Sequence, residues 1–175
     1  GILESFVEEA KALAGLYHPN VANIIDRGVS KEVPFLVLEL LIGADLQQYS
    51  AGGLLSLFEL RQIVLDSCAG LAALHGAGLV HRDIKPANIW LRLPLAGGER
   101  FDAPKHRDPA VTRPLSAVVI DFGMVRPMRV AAEAAGRFVA GTPGYIAPDQ
   151  VLDPIELDGR ADVYALAGTI YNVTT

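Results

Sequence analysis

The most restrictive feature of this sequence is the segment HRDIKPAN at residues 81–88. It holds four charged or ionisable side chains and an Asn, and it directly follows the apolar run GLV. On their own, Asp83, Lys85 and Asn88 would be ordinary solvated residues of a surface loop. The interpretation of this segment therefore depends on the segments that surround it.

Composition excludes several classes of protein. With 175 residues, 51% hydrophobic and 20% charged, the chain can bury a core, and one domain is expected. The net charge of −5 provides no broad attraction to nucleic acid or anionic membranes, so we expect neither as a partner of this segment. Its apolar stretches are too short or too interrupted to cross a bilayer. The single cysteine, Cys68, lies in an apolar helix-like run, which predicts a buried structural thiol and a reducing, cytoplasmic compartment.

Hydrophobic periodicity predicts a helix at the start of the chain and a hairpin after it. Apolar residues recur at helical spacing over 2–16, and strand-like runs at 21–29 and 33–40 are joined around Ser30 and Lys31. No Met precedes the helix, and the closing segment DVYALAGTIYNVTT has no Gly or Pro stop signal. We therefore expect a fragment, cut at both ends.

A second helix is predicted between residues 56 and 75. Ser56 with Glu59 three residues on is typical of a capping box, and a pair of glycines follows His75. Helical spacing places a set of apolar residues on the buried side of this helix: Leu57, Leu60, Val64, Leu71 and Leu74.

The region after the HRDIKPAN segment is predicted to be a loop and then a strand. Residues 92–116 contain four prolines and six Arg, Lys or His residues with little periodicity, which indicates an insertion-like loop. The run AVVIDFG that follows is typical of a short buried strand that ends in an acidic residue.

The side chains of HRDIKPAN suit phosphoryl transfer. This reaction needs a carboxylate near the incoming hydroxyl, a cation near the transferring phosphate and oxygen ligands for Mg²⁺. Asp83 would orient the hydroxyl and take its proton, Lys85 would offset the developing charge, and the Asn88 amide oxygen would bind the metal. Asp121 would be the second metal ligand, because Mg²⁺ favours hard oxygen donors.

Four motifs in a fixed order resemble a eukaryotic-like Ser/Thr protein kinase domain of the bacterial type. They are HRDIKPAN, DFG at 121–123, GTPGYIAP at 141–148 and DGRADVYALAG at 158–168. The resemblance implies a partial, bilobal α+β fold, with the end of the small lobe and hinge in 1–41 and part of the large lobe in 42–175. It also implies that Asp162 holds the catalytic-loop backbone and that Thr142 bonds to Asp83 and Lys85.

The same resemblance implies a site for ATP as well as Mg²⁺. Leu38 falls at the gatekeeper position, the backbone of Glu39 to Leu41 would hold the adenine edge, and Asp45 would reach the ribose. Glu9 matches the helix Glu that pairs with the ATP-gripping Lys.

The resemblance also implies an apolar spine that joins the lobes. The spine is expected to include Leu13, Ile24, His81 and Phe122, which makes His81 structural.

Trp90 has two interpretations at this stage. It stands two residues after Asn88, where the family usually has a smaller aliphatic residue beneath the adenine. It would either lie under the adenine or be a strand residue that faces the core.

Several departures from the family pattern qualify these expectations. The chain contains no G-x-G-x-x-G loop and no V-A-x-K strand, so we expect the chain as given to be inactive alone. Asp149 replaces the usual Glu of the APE motif, which puts the brace of the large lobe in doubt. No Ser, Thr or Tyr lies between Gly123 and Gly141, which favours control by a dimer or regulatory partner.

Two other classes of protein remain open beside a kinase with a protein Ser/Thr substrate. One is a pseudokinase that binds nucleotide or serves as a scaffold. The other is a small-molecule kinase of similar fold, against which the GTPGYIAP segment argues.

Overall fold

The computed structural model describes residues 15–31, 33–93, 115–122, 125–127, 141–152 and 158–175. The elements of this part of the chain are β1 (Ile24–Ser30), β2 (Val33–Leu38), β3 (Gly43–Asp45), α1 (Leu46–Ser50), α2 (Leu57–Gly76), β4 (Leu79–Val80), a 3₁₀ turn (Pro86–Asn88), β5 (Ile89–Arg92), β6 (Ser116–Val119), β7 (Arg126–Pro127), α3 (Pro148–Leu152) and α4 (Arg160–Thr174). No helix in these described ranges is long and apolar enough to span a membrane.

The predicted hairpin is confirmed. Strands β1 and β2 pair antiparallel, from Ile24 opposite Leu38 to Ser30 opposite Val33. Lys31 turns the chain with a φ of 48°, a left-handed conformation that tight hairpin turns require. Of the predicted helix over 2–16, residues 1–14 lie outside the described residues, and Leu16 is not helical.

The predicted capping box at the start of α2 is also confirmed. The Ser56 hydroxyl accepts a hydrogen bond from the Glu59 N–H at 3.2 Å, and the Glu59 carboxylate accepts one from the Ser56 N–H at 2.9 Å. These two bonds satisfy backbone donors that a helix start leaves without partners. The helix continues one residue beyond the predicted end at His75.

The predicted buried face of α2 is partly wrong. Leu57 is 85% exposed, and Cys68 is exposed rather than a buried thiol. Leu71 and Leu74 are buried as predicted, whereas Leu60 and Val64 are only half-buried. The residues that α2 does bury lie at helical spacing and include polar and small side chains: Glu59, Ile63, Ser67, Gly70, Leu71 and Leu74.

Close packing of backbone against backbone explains this error. A Cβ atom at Gly70 would lie 2.4 Å from the Asn20 carbonyl oxygen, so α2 can approach the 18–22 segment only through a glycine. The face that packs most tightly is therefore not the most apolar one. Hydrophobic periodicity cannot detect such a face, because it weights apolar side chains.

Glu59 also accepts the hydroxyl hydrogen bond of Tyr49, at 2.7 Å, although both residues are almost fully buried. We expect Tyr49→Phe to lower the free energy of unfolding by about 1–3 kcal/mol, because the buried carboxyl group of Glu59 loses a hydrogen-bond donor. Urea denaturation measures this loss. Tyr171→Phe, at a tyrosine 71% exposed on α4, should change stability by less than about 0.5 kcal/mol. Equal losses in the two variants would contradict the assignment.

A three-stranded antiparallel sheet, in the order β3–β5–β6, packs on α2 and carries the segments around the HRDIKPAN loop. Its pairing corrects the bounds of the predicted loop over 92–116, because Arg92 and Ser116 are paired strand residues. The Leu93 N–H also donates to the Ile42 carbonyl, at 3.3 Å. Arg92 fits a strand because burial alternates along β5, with Ile89 and Leu91 buried and Trp90 and Arg92 half-buried. Residues 94–114 lie outside the described residues.

Candidate active site

The HRDIKPAN loop connects β4 to β5, and its backbone is anchored from α4. Asp162, which is 0% exposed, accepts hydrogen bonds from the N–H groups of His81 and Arg82, both at 2.8 Å. The role predicted for Asp162 is therefore confirmed. His75 at the end of α2 donates through Nε2 to the same carboxylate at 2.8 Å, a contact that the sequence did not indicate.

Arg82 occupies a strained backbone conformation, with a φ of 70°. Besides the bond from its N–H to Asp162, its carbonyl oxygen accepts a hydrogen bond of 3.4 Å from the side chain of Gln150. Gly141 lies so close that a Cβ there would be 3.0 Å from the same oxygen. The loop is therefore held on both sides, by α4 and by α3 with the segment that leads into it. Sequence reasoning missed Gln150, which is a buried amide directly after Asp149.

His81 is a structural residue, as predicted. Its buried ring donates through Nε2 to the Ile120 carbonyl at 3.0 Å and accepts the Asp83 N–H through Nδ1 at 3.3 Å. The ring meets that of Phe122 edge-on, with centroids 6.2 Å apart. Burial lowers the pKa of His81 below 6.5, against the opposing influence of the Asp162 charge. Leu13, the first residue of the expected spine, lies outside the described residues.

The low pKa of His81 predicts acid sensitivity. In the unfolded chain the His81 imidazole is protonated near pH 6.5, whereas in the folded chain it is protonated only at lower pH. The contribution of neutral His81 to stability is therefore complete above pH 6.5 and is lost as the pH falls below it. Urea denaturation between pH 7.5 and 5 should show this decline. His81→Phe should reduce its slope, whatever the variant's stability at neutral pH. An unchanged slope in the variant would assign the acid sensitivity to other groups.

Asp83, Lys85 and Thr142 form a closed triangle of hydrogen bonds. Lys85 Nζ donates to Asp83 Oδ2 at 2.8 Å and to Thr142 Oγ1 at 2.9 Å, and the Thr142 hydroxyl donates to Asp83 Oδ1 at 2.6 Å. The bonds predicted for Thr142 are confirmed. Burial alone would raise the pKa of Asp83, but the bonds from Lys85 and Thr142 and the Lys85 charge lower it below 3.8. Asp83 is therefore a carboxylate at neutral pH, available to accept a proton.

Asn88 lies against Asp83 with a defined amide orientation. Its Nδ2 donates to the Asp83 carbonyl at 2.8 Å and to Asp83 Oδ2 at 3.1 Å. Since the amide nitrogen is engaged twice, the amide oxygen is left as an acceptor, and no hydrogen bond to it is found within the described ranges.

The second expected metal ligand, Asp121, lies next to Asn88 in the fold. The Ile120 N–H donates to the Asn88 carbonyl at 3.0 Å, which joins the two segments directly before the exposed Asp121. One amide oxygen and one carboxylate are hard donors that suit Mg²⁺, which keeps several waters. The part of the chain that the structure describes has no cluster of three or more His, Cys, Asp or Glu that could hold a metal.

The residues expected at the nucleotide site lie along β2, the segment after it, and β3 and β5. Leu38 ends β2, and Leu41 packs against the core. Asp45 and Trp90 are paired across β3 and β5, and Asp45 also caps α1 by accepting the Gln48 N–H at 2.8 Å. Glu9 lies outside the described residues.

Trp90 is a strand residue that packs half-buried against the core, as one of its two interpretations predicted. Its indole N–H is buried, and no hydrogen-bond partner for it is found in the part of the chain that is described. Its position beneath an adenine stays a prediction.

An anchored loop that brings Asp, Lys and Asn together, beside an Asp on the adjoining strand, is typical of the phosphotransferases that use an Asp base and Mg²⁺. Comparison with known families agrees with this class. Residues 2–175 match the protein kinase domain, and the chain belongs to this family. The fold class expected from the motifs is thereby confirmed.

Bacterial proteins are among its relatives. The chain is 32% identical over 173 residues to the serine/threonine-protein kinase PkaB of Streptomyces coelicolor, covering 98% of this chain and 38% of that protein. It is 32% identical over 174 residues to PknL of Mycobacterium tuberculosis, with 99% and 38% covered. It is 33% identical over 177 residues to pkn3 of Myxococcus xanthus, with 97% and 29% covered. The chain thus spans less than two fifths of the length of these relatives.

Proposed function

We propose that the protein is an ATP-dependent Ser/Thr protein kinase, which transfers the γ-phosphate of MgATP to a Ser or Thr hydroxyl of a protein substrate. The observation that carries this proposal is the set of hydrogen bonds that Lys85, Thr142 and Asn88 make to Asp83. The names of the relatives, all serine/threonine-protein kinases, support the same reaction.

In this proposal Asp83 orients the acceptor hydroxyl and accepts its proton. The low pKa keeps the carboxylate ionised, and its two oxygens are held by different donors, which limits rotation of the side chain. Lys85 carries a positive charge 2.8 Å from the carboxylate, where it would offset negative charge that develops on the transferring phosphate. Thr142 fixes Lys85 and Asp83 relative to each other.

Asn88 and Asp121 would hold Mg²⁺. When bound, the metal neutralises charge on the phosphate oxygens. The bonds of the Asn88 nitrogen support this assignment, because they leave the amide oxygen as the available ligand atom.

The segment after β2 would bind the adenine, with Leu38 as the gatekeeper. The Glu39 N–H donates to the Asn23 carbonyl at 3.0 Å, whereas among the described residues no backbone bond engages the Glu39 carbonyl or the Leu41 N–H. One acceptor and one donor on the same short segment match the edge of an adenine. Asp45 would reach the ribose, Trp90 would lie beneath the base and Glu9 would pair with an ATP-gripping Lys.

A transfer assay with the protein at its natural length tests the proposed function. We expect MgATP labelled at the γ-phosphate to modify a mixed Ser/Thr peptide library, with phosphoserine or phosphothreonine identified by mass spectrometry. Binding of ATP with no transfer would contradict the proposal and favour the pseudokinase. Label found only on small hydroxyl compounds would favour a small-molecule kinase.

The 175-residue chain alone is expected to bind ATP poorly and to transfer phosphate negligibly. It contains neither a G-x-G-x-x-G loop to cover the phosphates nor a V-A-x-K strand to supply the Lys partner of Glu9. Turnover by the isolated chain would contradict this expectation. We further propose cytoplasmic action on proteins and not on nucleic acid, with control by a dimer or regulatory partner.

A further inference from the structure

Arg92, at the end of β5, connects three segments of the chain. Its guanidinium forms an ion pair with the Glu39 carboxylate, with Nη2 and Oε1 2.8 Å apart, and it donates through Nη1 to the Pro19 carbonyl at 3.0 Å. The sequence predicted Arg92 to lie in a loop and indicated no role for it. The two contacts span the 17–23 segment, the segment after β2 and the three-stranded sheet.

Glu39 makes contacts through both its carboxylate and its backbone N–H. Its Oε1 accepts the Asn23 N–H at 3.0 Å, and its own N–H donates to the Asn23 carbonyl at 3.0 Å. With the Arg92 ion pair, three contacts fix the orientation of the residue, and hence the direction in which its carbonyl points.

The other end of the same segment is held by the same strand. Arg92 pairs with Gly43 in the β3–β5 register, and the Leu93 N–H donates to Ile42. A Cβ at Gly43 would lie 1.9 Å from the Leu91 carbonyl oxygen, so the chain leaves the segment in close contact with β5. Residues 39–42 are thus attached to β5 at their start by the Arg92 side chain and at their end by backbone contacts.

We propose that Arg92 is a positioning residue for the nucleotide base: by holding Glu39, it orients the backbone carbonyl and N–H groups of residues 39–41 that take the adenine. This inference rests on the proposed function. In this role Arg92 acts through Glu39 and not by direct contact with the nucleotide.

An alternative is an ordinary surface ion pair. The two side chains are 34% and 29% exposed, so the pair alone adds little to stability. The planar guanidinium, however, makes two directed contacts to two segments, an arrangement that the single ammonium of a lysine does not reproduce. We therefore expect loss of the Arg92 guanidinium to change nucleotide affinity rather than folding.

The test compares nucleotide binding by four variants of the protein at its natural length: Arg92→Gln, Arg92→Lys, Glu39→Gln and the Arg92→Gln/Glu39→Gln double variant. Dissociation constants for ATP and for adenosine are measured by calorimetry. KM and kcat are measured in a phosphate-transfer assay with a peptide substrate. The control variant is Arg61→Gln, which removes one positive charge at an exposed arginine of α2.

We expect Arg92→Gln to weaken ATP and adenosine binding by about 3-fold to 5-fold, with kcat and the peptide KM changed less than about 2-fold. Arg92→Lys should recover part of the loss. The double variant should be no weaker than the weaker single variant, because both changes remove one interaction. The difference from wild type should shrink in about 0.5 M salt, and Arg61→Gln should match wild type.

Unchanged or tighter adenosine binding by Arg92→Gln would overturn the positioning role, and so would equal weakening by Arg61→Gln. Wild-type protein that binds ATP without transferring phosphate would overturn the proposed function alone, since the binding ratios still decide the role of Arg92. Wild-type protein that binds no nucleotide would overturn both.

Discussion

Asp83→Asn is expected to lower kcat for phosphate transfer by about 10²-fold to 10⁴-fold, the range for loss of a general base. The substitution preserves the size of the side chain but removes its capacity to accept a proton. It also places an amide NH₂ where Lys85 or Thr142 now donates, so one bond of the triangle is lost. The measurement is kcat with a peptide substrate, and KM for ATP should change by less than about 3-fold, because Asp83 does not hold the base.

Two variants control for charge and for the hydroxyl contact. Asp158→Asn makes the same change in net charge at an exposed ion pair with Arg160 and should leave kcat within about 2-fold. Thr142→Ser retains the hydroxyl that bonds to Asp83 and should keep most of the activity. Retention of more than a tenth of kcat by Asp83→Asn would show that Asp83 does not act as the base.

Asp162→Leu is expected to destabilise the protein by about 3–5 kcal/mol. The N–H groups of His81 and Arg82 and the His75 ring would all lose their acceptor at a fully buried position. A loss of this size is a large part of the stability of an ordinary domain. Urea denaturation at neutral pH measures it.

Catalysis should fall in the same variant even where it stays folded. Arg82 holds a φ of 70° against its preference, and without the Asp162 contact the backbone can relax and displace Asp83. Activity measured at low temperature, below the unfolding transition, separates this effect from unfolding. Asp162→Asn retains one acceptor oxygen and should fall between wild type and the Leu variant. A Leu variant within about 1 kcal/mol of wild type would refute the anchoring role.

Local patterns predicted much of the site. The eight residues of HRDIKPAN contain Asp83, Lys85 and Asn88, and their short separation in sequence lets these side chains form direct hydrogen bonds. The capping box at Ser56 and the turn at Lys31 are equally local, because each depends on bonds or dihedral angles within a few residues. These expectations needed no knowledge of the packing.

Expectations that depended on packing were less successful. Helical spacing predicted Leu57 on the buried side of its helix and an apolar run predicted Cys68 in the core, yet both are exposed. Arg92 was placed in a loop because of the prolines and charges that follow it, although it completes a strand. Apolar composition alone does not tell which face of a helix approaches a backbone closely, or where a partner strand ends.

By itself, the sequence determined which side chains the HRDIKPAN loop carries and the class of fold, since motif identity and order depend on the residues alone. The motifs also implied Asp162 as an anchor of that loop, but only the tertiary structure decided the other long-range contacts. His75 meets Asp162 across 87 positions of sequence, Gln150 meets Arg82 across 68 and Arg92 meets Pro19 across 73. Such contacts form because packing brings distant segments within hydrogen-bond distance, and local spacing carries no information on which distant residue will be there.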